Sequence, residues 1–132
     1  MRQRPPNYGY CSLNHADIIA REIVLHLLRV PLPLSDEKIL QNHMHVSLKD
    51  VGYDFAREVK MSIGIIDFLV SGCVGIEVKI GGRKRDIWRQ CSGYLKDPRI
   101  QHLIVATSTP LSFPAHESGK PVTMVSLARA WL

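Results

Sequence analysis

Three ionisable residues interrupt apolar runs in the middle of the chain: Asp67 within IIDFLV, and Glu77 and Lys79 within VGIEVKI. Two carboxylates beside an ammonium can pair off as an ion cluster, with Lys79 neutralising one acid. They can also hold a divalent cation through hard oxygen donors while the lysine orients or deprotonates a water, or stabilises charge on a phosphate. Burying such a trio is costly unless the charges are paired or bind a metal. Spacing alone leaves both accounts open, because short acidic-x-Lys matches recur in unrelated chains.

A β-hairpin would bring the three together. Both runs have strand length and β-branched content, and Ser71-Gly72 between them signals a turn. Alternation puts Glu77 and Lys79 on one face of the second strand and Ile76, Val78 and Ile80 on the other. Asp67 joins the charged face only if it lies opposite Glu77, which leaves Ser71, Gly72 and Cys73 as a three-residue loop. A two-residue turn would set Ile76 opposite Asp67 and separate the charges. The three-residue loop is therefore expected, with 67 opposite 77 and 66 opposite 78.

His15 to Val30 is patterned as a helix, with Asn14 as N-cap and Asp17 in the first turn. Ile18, Ile19, Ile23, Val24, Leu25, Leu27 and Leu28 make it apolar over most of its circumference, so packing on several sides is expected. Glu22, His26 and Arg29 form its narrow polar stripe, which on composition is simply an exposed edge. Pro31-Leu32-Pro33 stops it. Ser35 before Asp36 and Glu37 reads as the cap of a second helix ending near Asp50, with Gly52 at C′. Tyr53 to Met61 alternates as a strand, with Tyr53, Phe55, Arg57 and Val59 on one face and Ala56, Glu58 and Lys60 on the other.

After the hairpin, Gly81-Gly82 permits a turn into Arg83-Lys84-Arg85. These cations open a helix expected from Lys84 to Lys96, where the dipole prefers anions. A phosphate backbone lying there would satisfy dipole and cations together; a solvated basic turn is the simpler account. Ile87, Cys91, Tyr94 and Leu95 form that helix's buried face, with Gln90 at its edge and Trp88 packing on the sheet or a partner subunit rather than stacking on a base. Asp97-Pro98 ends the helix. Ile100 to Ser108 reads as a strand buried on both faces, reached by a parallel crossover. A loop over 109–120, a short strand over 122–125 and a terminal helical turn over 127–132 complete the chain. The expected architecture is α/β, a mixed sheet of about four to five strands flanked by helices. It forms one domain over residues 1–132, with a polar arm at 1–14.

Asp67, followed ten residues later by Glu77-Val78-Lys79, resembles the core of the PD-(D/E)xK nuclease superfamily, with Ile66 where the proline of that name would stand. Arg89-Gln90 is a second match, since several branches carry a glutamine on the next helix, often as Arg-Gln, beside the metal site. The resemblance covers roughly Glu22 to Ser108 and implies a restriction-endonuclease-like core. It implies Asp67 and Glu77 as ligands of Mg²⁺ or Mn²⁺, with the backbone carbonyl of Val78, and Lys79 as the group that assists the attacking water. Gln90 would orient lysine, water or phosphate. Glu22 is implicated too, since a first-helix glutamate of the family often reaches the metal or its waters. Glu58 keeps three fates open: an extra acidic ligand, a partner for Lys79, or a solvent-facing pair with Lys60 or Arg57.

The formal charge of +5 favours a polyanionic partner. Arg83, Lys84, Arg85 and Arg89 are the residues expected to meet DNA. Three cysteines without CxxC spacing argue against a disulfide framework or a zinc site and fit a reducing compartment. The histidines contain no HExxH and read as surface or core residues. With no signal peptide and no spanning run recognised, the expected compartment is the cytoplasm, that of the host cell if the chain is phage-encoded. The expected function is a Mg²⁺-dependent deoxyribonuclease that hydrolyses phosphodiester bonds in structured or branched DNA, similar to Holliday-junction resolvases and stand-alone phage nucleases. Symmetric cutting of two strands would favour a homodimer or higher homo-oligomer. Two alternatives remain: a catalytically inactive nucleic-acid-binding or assembly protein with this fold, and a small-ligand or metal-sensing domain with a coincidental triad.

Overall fold

The two most continuously buried strands meet at the centre of a sheet. Strands β3 (Val74–Lys79) and β4 (His102–Thr107) pair in parallel from Val74↔His102 to Lys79↔Thr107. The computed structural model describes residues 13–109 and 111–127, with side chains from residue 15 onward. Most of the expected arm at 1–14, Cys11 and most of the terminal helical turn lie outside those residues; Asn14, expected as the N-cap, is instead already helical, since α1 runs Leu13–Arg29. β4 is buried along its whole length, as a parallel strand covered on both faces should be.

On one side of this pair, β2 (Ile65–Val70) runs antiparallel to β3, and β1 (Phe55–Lys60) runs antiparallel to β2. On the other, β6 (Lys120–Ser126) lies parallel to β4, and the two-residue β5 (His116–Glu117) pairs antiparallel with β6. The sheet is mixed and six-stranded, in the order β1-β2-β3-β4-β6-β5. The extra strand arises inside the segment read as the 109–120 loop. Two residues are too few to show an alternating pattern.

Two apolar layers sandwich the sheet. Helices α1 (Leu13–Arg29) and α2 (Glu37–Val51) pack Ile19, Ile23, Leu27, Leu40, Met44 and Leu48 against Phe68, Val74, Ile76, Val78, Ile104 and Ala106. Helix α3 (Lys84–Leu95) packs Ile87, Cys91, Tyr94 and Leu95 against Ile66, Leu69, Leu103, Val105 and Val122. Gly75 permits close packing on the α3 side, since a Cβ there would lie 2.6 Å from Ile66 Cδ1 and 2.8 Å from Ile100 Cδ1. Asp17 and Thr123 fasten α1 to the sheet through His102, whose Nδ1 and Nε2 lie 2.8 and 2.7 Å from Asp17 Oδ1 and Thr123 Oγ1. Cys73 and Cys91 are both buried, and Cys91 is a free thiol. Among the described residues no helix is long and apolar enough to cross a membrane.

Several local expectations are corrected. α1 is buried along Ala16, Ile19, Ala20, Ile23 and Leu27, but Ile18, Leu25 and Leu28 are exposed, so it does not pack on several sides. A helix lying on a sheet turns one stripe away from it, whatever that stripe contains. The cap of α2 is Asp36 rather than Ser35, its carboxylate accepting from the N–H groups of Lys38 and Ile39. The simple alternation expected from Tyr53 to Met61 breaks at Glu58, which adopts a left-handed φ of 52°. Phe55 packs with the α1/α2 layer, whereas Val59 packs with the α3 layer.

Candidate active site

The hairpin has the register that alternation required. Val70 pairs with Val74, Leu69 with Gly75 and Phe68 with Ile76, leaving Ser71, Gly72 and Cys73 as the loop. Ser71 and Gly72 both take left-handed φ values, 50° and 69°, which close so short a connection. The paired ladder then stops, so the expected pairs of 67 with 77 and 66 with 78 do not form, and Ile66 packs in the α3 layer while Val78 packs in the other. On its other edge β2 pairs with β1 through Arg57↔Phe68 and again from Val59↔Ile66, skipping the step between Glu58 and Asp67. Both ladders of β2 are thus interrupted at Asp67.

Carboxylates fill the opening. Asp67 Oδ2 accepts the Val78 N–H at 2.7 Å, where a strand carbonyl would otherwise serve. Glu77 Oε1 accepts the Asp67 N–H at 3.2 Å. Beyond them, Glu37 Oε1 from the first turn of α2 accepts the Ile80 N–H at 2.9 Å. One turn later on α2, Gln41 Nε2 donates to Asp67 Oδ1 at 3.0 Å. In a strand the N–H and C=O of one residue point to the same side, so the Val78 carbonyl also faces the opening.

The opposite face is built by α3. Tyr94 places its hydroxyl 3.2 Å from Glu77 Oε2 and 2.7 Å from the Ile65 carbonyl, and that hydroxyl accepts from Gln90 Nε2 at 2.8 Å. Lys79 Nζ lies 3.5 Å from Glu77 Oε2, its side chain partly exposed. Glu77 itself is 2% exposed. Burial raises its carboxyl to about 8, with the Asp67 charge adding to the shift and Lys79 only partly offsetting it. Burial also raises Asp67, with the Val78 N–H opposing and the Glu37 charge adding. The Tyr94 hydroxyl is raised by burial and by Glu77, and the Cys91 thiol is pushed up to about 12 by burial, then by Glu77. Cys91 is therefore an inert wall of the site, not a nucleophile.

Asp67, Glu77, Lys79 and Gln90 thus meet at one place, Gln90 through Tyr94. Glu22 goes elsewhere: exposed on α1, it takes the Tyr53 hydroxyl. Tyr53 precedes β1, whose first residue Phe55 pairs with Val70 beside the hairpin loop. That is roughly 10 Å along the strand from Asp67. Glu58 faces solvent and pairs with Lys38 at 2.9 Å, with Arg57 adding a weaker electrostatic attraction, so its salt-bridge partner is Lys38. Arg83, Lys84, Arg85 and Arg89 are all exposed at or along α3. Arg83 occupies the N-cap without a side-chain cap bond.

Glu37, Gln41 and Tyr94 are the neighbours that sequence reasoning missed. Glu37 and Gln41 stand four apart on α2, and Gln90 and Tyr94 four apart on α3, the spacing that aligns side chains on one helix face. That signal was available, but nothing in it names the strand each face would meet.

The donor set can be matched against metal chemistry. Among the described residues no three His, Cys, Asp or Glu side chains converge as a closed cage. Asp67 and Glu77 form a carboxylate pair, and Mg²⁺-type ions bind through one or two carboxylates while keeping waters and substrate phosphate. Burial makes both acids hold their protons more tightly than usual, and a divalent ion in place of those protons would stabilise the ionised pair beside Lys79. The residues therefore fit such an ion. Comparisons with protein families, curated proteins and solved structures find no match for this chain.

Proposed function

We propose that this chain is a metal-dependent DNA endonuclease that hydrolyses phosphodiester bonds in structured or branched DNA. The observation that carries the reading is the opening of both β2 ladders at Asp67, into which two buried carboxylates, Lys79 and the Gln90–Tyr94 pair converge. The N–H groups freed from the ladder donate instead to the Asp67, Glu77 and Glu37 carboxylates, so the opening holds acids where strand carbonyls would stand. The restriction-endonuclease-like topology belongs to the same proposal.

Asp67 and Glu77 would hold Mg²⁺ or Mn²⁺ together with the Val78 carbonyl. When bound, the ion would supply Lewis-acid polarisation of the phosphate and a water of lowered pKa. Lys79, tethered near Glu77 Oε2 yet open to solvent, positions the attacking water or stabilises charge on the phosphate. Gln90 fixes the Tyr94 hydroxyl, which in turn orients Glu77. Glu37, not Glu22, is the additional acid of the site, because its carboxylate lies along the opened edge of β3. The exposed cations of α3 would meet the DNA backbone.

A second reading has one observation in its favour. Every oxygen of Asp67 and Glu77 already has a protein partner, from Gln41, Val78, Asp67 N–H, and Tyr94 with Lys79. That saturation would suit an inactive nucleic-acid-binding protein that keeps the cluster as a clasp. Cleavage of labelled single-stranded, duplex, flap, splayed-arm and four-way DNAs with Mg²⁺, Mn²⁺ or EDTA separates the two. Metal-dependent cutting lost in Asp67→Ala and Lys79→Ala is expected. DNA binding with no cutting of any substrate would give the ground to the clasp.

A further inference from the structure

The outward face of α3 carries a feature that the carboxylate site does not use. Ile63, Arg85, Trp88, Arg89, Gly93 and Lys96 line a shallow groove of about 530 Å³. Its floor is apolar. Ile63 is 54% exposed, and it lies against the helix because Gly93 has no side chain: a Cβ there would sit 3.3 Å from Ile63 Cβ. Trp88 is half-buried and backed by Phe113, with ring centroids 4.8 Å apart. Arg85, Arg89 and Lys96 rise along one helical stripe about 16 Å long. The ion pairs among the described residues involve other groups. Asp86 is the one acid on α3, in the first turn.

From this groove we infer a seat for single-stranded DNA, the unpaired branch of a structured substrate. The cations match a phosphate chain in sign, and their 16 Å span matches about five stacked nucleotides. The apolar floor decides between single strand and duplex. A duplex would engage the cations through its phosphates but leave Ile63 and Trp88 facing water, since its bases are already stacked. An unpaired strand can cover that floor with base faces, and this combination of basic groove and aromatic platform is how single strands are held without sequence preference. Arg89 faces the groove while the adjacent Gln90 bonds Tyr94 beside Glu77, so a strand in the groove runs alongside the carboxylate pair. Naming the strand as substrate rests on the nuclease reading; the binding does not require metal.

The test is a titration in EDTA of labelled oligothymidylate, blunt hairpin duplex and oligouridylate, at several salt concentrations, with polyglutamate as competitor. Oligothymidylate is expected to bind tighter than the blunt duplex. In Arg85→Ala/Arg89→Ala/Lys96→Ala its affinity should fall on the order of tenfold or more at low salt, and the slope of log affinity against log salt should shrink by about 2. With Trp131→Phe leaving Trp88 as the sole tryptophan, oligothymidylate should quench its emission and blunt duplex should not. Equal affinity for duplex, an unchanged slope in the triple variant, preference for oligouridylate, or displacement by polyglutamate at equal charge would each overturn the assignment. A protein that binds this way yet cuts nothing with Mg²⁺ would sink the nuclease and leave the groove standing. One that cuts but ignores the triple substitution would do the reverse.

Discussion

Glu77→Gln isolates the electrostatic tension in the carboxylate pair. The Glu77 carboxyl has an ordinary value of 4.5 and is raised to about 8 by burial and by the Asp67 charge. The folded protein therefore holds this proton more tightly than the unfolded chain does, so stability falls as pH rises from 4.5 to about 8. At 1.36 kcal/mol per pH unit, ionising Glu77 in the metal-free fold costs on the order of 5 kcal/mol above that window and nothing below it. Glutamine keeps the shape and removes the charge. Its amide oxygen can accept the Asp67 N–H, and its NH₂ can donate to the Tyr94 oxygen while that hydroxyl donates to the Ile65 carbonyl. The lost partner for Lys79 opposes the gain by less than ~1 kcal/mol, since that pair is long and partly solvated. In urea unfolding followed by circular dichroism in EDTA, the variant should match wild type near pH 4.5 and exceed it by about 3–5 kcal/mol at about pH 9. Added Mn²⁺ should stabilise wild type and leave the variant unmoved, because only a ligand bound by the folded state shifts the equilibrium. A stability difference that stays flat across pH would refute the argument.

Three further outcomes follow from particular contacts. Gly75→Ala would press a methyl group against Ile66 and Ile100, and urea unfolding should show a loss of about 1–3 kcal/mol. Asp97 is buried, accepts from Arg99 Nε and from the Ser62 N–H, and has its carboxyl held well below the usual range by the Arg99 guanidinium. Its stabilisation is present above the unfolded value of 3.8 and is lost as pH falls below it. Asp97→Asn should therefore trail wild type at neutral pH and converge with it in strong acid; a constant gap in acid unfolding curves would contradict this. Finally, Glu37→Gln should raise the Mg²⁺ concentration needed for half-maximal cleavage, while Glu22→Gln should not, and the opposite pattern would return the extra acid to α1.

The register beside the hairpin loop could be read from residue types because only one loop length would set Asp67 opposite Glu77, but alternation holds only as far as Phe68, and Ile66 turns to the other layer. The buried face of α3 was legible for the same reason, with Ile87, Cys91, Tyr94 and Leu95 at helical spacing. The behaviour of Asp67 within its strand was not. Whether its carboxylate or a backbone carbonyl takes the Val78 N–H is a competition between groups of similar strength. Here the carboxylate takes it, beside a left-handed φ at Glu58 and with Gln41 holding its other oxygen. Glu22 and Glu37 are both helical acids, and local pattern does not tell which one reaches the hairpin.

By itself, the sequence determined most of the local elements: the three helices and the five longer strands, which loop joins β2 to β3, and that two acids and a lysine gather within thirteen residues, from Asp67 to Lys79. These follow from periodicity and turn chemistry, which act over a few residues. Only the tertiary structure decided what surrounds them. Gln41 reaches Asp67 across 26 residues, Glu37 reaches Ile80 across 43, and Tyr94 reaches Glu77 across 17. Burial by those distant helices turns an ordinary carboxylate pair into one with a raised proton affinity. Desolvation is a property of everything packed around a charge, so it exists only once the sheet and its two helical layers have closed over Glu77.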